Sequence, residues 1–175
     1  MTLGALLDAG LPLAALQQAL SGLHVAGWRL EATRVTKQGL AGTQVKVLVD
    51  ETAELPHRHL HDILDLLAAS DLVETVRQRA AAVFTRLAAA EAAVHGSDIS
   101  HVHFHEVGAL DSIVDIVGAV AGLHLLGVER IVASPLPLGH GFVQAAHGLL
   151  PVPAPAVVQL LAQRHIPVRD RDVTG

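Results

Sequence analysis

An α/β fold, with a mixed sheet and flanking helices and with a helical pair after an N-terminal β-hairpin, is predicted by three features of the sequence. Two stretches of partial alternation between Trp28 and Asp50 are joined by glycines, a long helical periodicity runs from Ser70 to Gly96, and short β-like runs alternate with apolar helical runs beyond it. Such alternation implies parallel or mixed pairing.

In chain order, residues 3–23 read as two helices broken at "GLP", because Pro12 suits a first helical turn better than an interior. "WRLEATRV" and "QVKVLVD" read as a hairpin, with "KQGLAG" supplying the turn. From Pro56 the pattern becomes helical. Val73, Val76, Ala80, Val83, Leu87, Ala90 and Val94 mark one inward row, Asp71 and Glu74 match a capping box, and Gly96 is the stop. A short strand follows at "HVHFH", then a helix from about Ala109 to Leu126, a strand at "RIVAS", a proline-rich turn, and a helix near Ala154 to Gln163. Residues 1–56 thus carry helices plus the hairpin, 57–96 a helical segment and 97–175 an α/β segment, with no internal repeat or low-complexity linker.

The 175 residues are 51% hydrophobic, enough for one sizeable core. A net charge of -5 and 2% aromatic residues give neither a basic surface nor stacking platforms, so nucleic acid is not an expected partner. The start has no Lys or Arg before Arg29, and the longest apolar run, Ile113 to Val128, is broken by Asp115 and His124. A cytoplasmic protein without a membrane span is expected. Cysteine is absent, which removes disulfides, thiolate zinc sites and a cysteine nucleophile. Twelve histidines remain as the strong metal-binding side chains, with the carboxylates.

The histidines cluster. In "HVHFHEVGALDSIVD" a strand would place His101, His103 and His105 on one face, with Val102 and Phe104 packing the other, and Glu106 follows directly. On the next helix Asp111 and Asp115 share a face that Gly108, Gly118 and Gly122 extend. The glycines favour tight packing, whereas two buried acids must meet water, cations, backbone N–H groups or a metal. In "HRHLHDILDLL", His57 and His61 would lie one helical turn apart, able to chelate one ion, with His59 pointing elsewhere. The same spacing suits a solvated helix start, and the "HVHFHE" histidines suit a half-buried strand bonded to carbonyls. His140 and His147 sit in a rigid "SPLPLGHGFVQAAHGLLPVPAPA" loop, which can aim a histidine or only turn a corner. His24, His95, His124 and His165 are isolated and read as structural or surface residues. No nucleophile elbow, Walker loop, dinucleotide fingerprint or H-E-x-x-H is present.

"HFHEVGALDSIVDIVGA" and "SPLPLGHGFVQAAHGLLPVPAPA" strongly resemble the nickel-insertion proteins that complete the nickel-pincer nucleotide cofactor of lactate racemase. The resemblance extends to "TLGALLDAG", "GLAGTQVKV" and the histidine-rich "LPHRHLHDIL". It implies a nickel chelatase of the lyase class that puts nickel into a pyridinium bis-thiocarboxylate mononucleotide, with CTP, and Mg or Mn, used by the complete protein. It also implies that residues 1–175 are most of the family's N-terminal domain. The C-terminal CTP-binding domain would be absent or supplied by a separate polypeptide, and homo-oligomerisation is expected. The metal candidates are His57, His59, His61, His101, His103, His105, Glu106 and His147, and the catalytic candidates His103, His105, Glu106, Asp111 and Asp115. A nickel storage or delivery module and a non-functional fragment are the alternatives. Imidazole and carboxylate hold Ni²⁺ well but less tightly than thiolate, which suits a donor that must surrender it to the softer sulfurs of the substrate.

Overall fold

The computed structural model describes residues 1–50, 58–104, 109–145 and 148–170. Helices α1 (Thr2–Asp8) and α2 (Leu13–Ser21) are the two N-terminal pieces, broken near Pro12 as the sequence predicts. Strands β1 (Trp28–Lys37) and β2 (Leu40–Val49) pair antiparallel from Trp28↔Val49 to Lys37↔Leu40. Gln38 and Gly39 close the hairpin with φ of 49° and 80°, the left-handed pair that a two-residue turn requires.

Helix α1 packs closely on this hairpin. A Cβ on Gly4 would lie 2.1 Å from the Thr43 carbonyl oxygen, so only glycine lets the two backbones approach this far. At the other end of α1 the Asp8 carboxylate accepts hydrogen bonds from Thr43 N–H at 2.9 Å, Thr43 Oγ1 at 2.8 Å and Arg34 Nη1 at 2.6 Å.

Strand β3 (Arg58–His59) leads into α3 (Leu60–Ala68), then α4 (Glu74–His95), a 3₁₀ turn at Ile99–His101, β4 (His103–Phe104) and α5 (Leu110–Leu125). The Ala109–Leu126 helix is borne out almost to the residue, and Gly96 stops α4 in the left-handed region, φ 62°. Helix α4 buries only part of the predicted row, Val76, Ala80 and Ala90, and adds other residues to it. Val76, Ala80, Phe84, Ala88 and Ala92 are buried, whereas Val83 and Val94 are exposed, because a row at four-residue steps carries Phe84 into the core. The expected capping box also fails: Val73 is the N-cap, Asp71 bonds His24, and Glu74 bonds Arg77 and Gln78.

Beyond α5, β5 (Leu136–Leu138) pairs parallel with β8 (Val168–Asp170), β6 (Phe142–Ala145) pairs antiparallel with β7 (Gly148–Pro151), and α6 (Pro155–Gln163) packs against α4. "RIVAS" forms no strand. Ile131 and Val132 are 71% and 79% exposed, and among the described residues no neighbouring strand gives their β-branched side chains a surface to pack on. The mixed α/β character holds, with the described strands distributed over four two-stranded ladders. The core lies among α1 to α5, where Leu16, Leu20, Ile63, Phe84, Leu110, Ile113, Val114 and Val117 are fully buried. Each such side chain contributes roughly 1.5–3 kcal/mol over its exposed state. Among the described residues no helix is long and apolar enough to cross a membrane.

Candidate functional site

The two histidine tracts, more than forty residues apart in sequence, are zipped together. Strands β3 and β4 pair antiparallel with Arg58 opposite Phe104 and His59 opposite His103. Each strand has only two residues, so the ladder is held mainly by what lies beneath it. Val102 and Phe104 are buried in the core cluster with Leu110, Ile113 and Val114, as the alternation of "HVHFH" predicts.

His59 ends β3 as the N-cap of α3, in extended conformation, and its Nδ1 donates to the Val102 carbonyl at 3.2 Å. The same side chain accepts from the Asp62 N–H in a capping box, and these contacts orient the ring at the helix start. The His61 ring stacks on His59 with centroids 5.3 Å apart and planes 20° apart. Asp62 braces both: one carboxylate oxygen accepts the His59 N–H at 2.8 Å, and the other lies 3.1 Å from His61 Nε2.

This arrangement corrects the sequence reading at three points. The helix begins at Leu60, with His61 in its first turn, while His57, the partner expected for His61, lies outside the described residues. His59 joins His61 rather than pointing elsewhere. The strand starts at His103 instead of His101, because Asp98 accepts from Ser100 N–H at 2.8 Å and winds Ile99–His101 into a 3₁₀ turn, taking His101 off the strand. His101 is exposed, and its charge is among the causes that hold the Asp98 carboxyl below its ordinary range, after the hydrogen bonds from Ser100. His57, His105, Glu106, Gly108 and His147 lie outside the described residues, as does the His103 side chain. Among the described residues no three His, Asp or Glu side chains converge tightly enough to hold one ion. Asp62, which sequence reasoning missed, was detectable as an acid three residues beyond an N-cap.

On α5, Asp111 and Asp115 lie one turn apart, with Gly118 and Gly122 further along the helix. Its C-terminal half is packing: a Cβ on Gly118 would lie 3.1 Å from Leu3, and one on Gly122 2.8 Å from Leu6. Its N-terminal half emerges at Asp115 and Asp111, both exposed residues. The Asp115 carboxyl is nevertheless raised above its ordinary value, chiefly by desolvation, with the Met1 amino group acting against the shift and the Asp111 charge adding to it.

A nickel insertion protein family matches residues 1–175. The chain is 56% identical over 174 residues to a Thermomicrobium roseum protein named "Putative nickel insertion protein", covering 99% of this chain and 42% of that protein. It is 51% identical over 175 residues to the pyridinium-3,5-bisthiocarboxylic acid mononucleotide nickel insertion protein of Desulfitobacterium hafniense, covering 100% of this chain and 42% of that protein. The chain therefore spans less than half the length of these relatives. No solved structure matches it.

Proposed function

The chain belongs to the nickel insertion protein family, and from that premise we propose that it is the nickel-holding part of a cytoplasmic enzyme that inserts nickel into pyridinium bis-thiocarboxylic acid mononucleotide. The observation that carries this reading is the β3–β4 register, which brings His59 opposite His103 and so merges two histidine tracts into one place. Nickel is here the substrate. His59 and His61 offer oriented imidazoles, and His57, His101, His103, His105, Glu106 and His147 are the further ligands we assign to it.

Forming a metal–carbon bond on the pyridinium ring displaces a proton. Glu106, Asp111 and Asp115 are the carboxylates close enough in sequence to accept it, and desolvation suits Asp115 to hold a proton nearer neutrality. We assign CTP use, with Mg or Mn, to the part of the relatives that this chain does not span. Phe142, Leu149, Val157, Val158 and Val168 are exposed apolar side chains that such a part, as a C-terminal domain or a separate polypeptide, would cover. A second copy could cover the same side chains in a homo-oligomer.

Reconstitution tests the reading. The chain is combined with the remainder of a relative, Ni²⁺, CTP and the mononucleotide substrate, and cofactor formation is followed by absorbance. We expect turnover that falls at least tenfold in His59→Ala and His103→Ala. Turnover unchanged by both would leave only nickel storage or delivery.

A further inference from the structure

At the opposite end of α3 from the histidine cluster, ~14 Å away at 1.5 Å per helical residue, lies a cleft of about 330 Å³ bordered by Gln18, His24, Asp71, Val76, His124 and Leu125 among others. It is bounded by three helix ends: the C-termini of α2 and α5, and the N-terminus of α4.

Its chemistry is one-sided. Among the described residues no Lys or Arg lines it, and Asp71 is the one carboxylate that does. Two helix C-termini add negative potential, while at the N-terminus of α4 Glu74 is paired with Arg77. Asp71 Oδ2 is taken by His24, so Asp71 Oδ1 and the Gln18 amide oxygen are the side-chain acceptors a cationic ligand would meet. The floor is apolar, formed by Leu72, Val76 and Ala121.

His24 is held in this wall at a cost. It has φ 54°, a left-handed conformation that a residue with a Cβ adopts only when its surroundings impose it. Two bonds impose it: His24 Nε2 to Asp71 Oδ2 at 2.8 Å, and the Asp71 N–H to the Gly22 carbonyl at 2.8 Å. Together they lock the α2–β1 turn to the α3–α4 turn and hold Asp71 on the rim.

We infer that this cleft binds a small organic cation with an apolar body, an aryl or alkyl amidinium or ammonium, whose charge sits on Asp71 and whose hydrocarbon lies against Val76 and Leu125. The cleft is separate from the nickel cluster, and its test uses no metal. ¹⁵N-labelled chain is titrated with benzamidine and, separately, with benzoate, an anion of the same shape. We expect saturable shifts at Gln18, His24, Asp71 and His124, with a dissociation constant of ~1 mM or tighter, and benzoate at least tenfold weaker. Asp71→Asn should weaken benzamidine at least tenfold, and His124→Phe, which fills the mouth from an exposed position, at least fivefold. Absence of saturation, equal binding of the two probes, or indifference to both substitutions would overturn the inference. The comparison of probes on the unmodified chain decides it even if a variant fails to fold.

Discussion

The imidazoles of His59 and His61 stack with centroids 5.3 Å apart while the Asp62 carboxylate reaches both residues. On the proposed function His61 would join His59 in holding nickel, and the stacked pair is the place to test that assignment. We expect His61→Ala to weaken Ni²⁺ binding about tenfold with the metal-to-chain ratio unchanged. Isothermal titration measures both. Because imidazole must be unprotonated to bind, affinity should fall as pH drops below ~6.5, the ordinary imidazole value. Affinity indifferent to pH in that range would point instead to an oxygen site around Asp111 and Asp115.

Asp115 should oppose stability and serve function. Its folded-state pKa is raised, so the folded protein holds the proton more tightly than the unfolded chain does. Its contribution is then unfavourable above the folded pKa and is relieved as pH falls through that value toward the ordinary one. Asp115→Asn removes the penalty at neutral pH. We expect Tm to rise by no more than ~2–4 °C, the scale of a 1 kcal/mol change in a chain of this size, while cofactor formation in the reconstituted system falls. A lower Tm would show that the carboxylate has a stabilising partner.

Asp8 has the opposite sign. Hydrogen bonds from Thr43, first the hydroxyl and then the N–H, hold its carboxyl below the ordinary range, with the Arg34 charge adding to the effect. Its stabilisation is present above the unfolded-state value and is lost as pH falls through the folded one. Tm of the unmodified chain should therefore drop on acidification from pH 5 toward pH 3, and Asp8→Asn should flatten that drop. An identical acid profile in the variant would remove Asp8 from the explanation.

Gly4 tests the seating of α1 on the hairpin. An alanine methyl would meet the Thr43 carbonyl oxygen at 2.1 Å, a backbone atom that no rotamer change can move. We expect Gly4→Ala to destabilise by ~1–3 kcal/mol, the usual cost of overpacking, as read by urea unfolding. Alanine at exposed Ala5 offers no such clash, so Ala5→Gly should instead cost only the helix-propensity difference of ~1 kcal/mol.

Long periodic segments were legible in the sequence because burial and hydrogen bonding agree over many residues. The α5 limits and the β1–β2 hairpin show this. Both histidine tracts were also visible as composition. Their union was not, because a ladder of two residues, Arg58–His59 on His103–Phe104, carries no periodicity and is set by where Val102 and Phe104 find the core. "RIVAS" misled for the converse reason: β-branched residues favour strands only beside a neighbour, and Ile131 and Val132 have none among the described residues. Asp71 had the spacing of a cap, yet its carboxylate bonds His24, a tertiary partner 47 residues away.

The most direct test of a single shared nickel site is a double-mutant cycle on His59 and His103, with Ni²⁺ affinity and stoichiometry measured by isothermal titration. If the tracts hold one ion together, the chain binds one Ni²⁺, each alanine variant loses at least tenfold in affinity, and the double variant loses much less than the product of the two. Two Ni²⁺ per chain, one lost with each substitution and the losses multiplying independently, would contradict it.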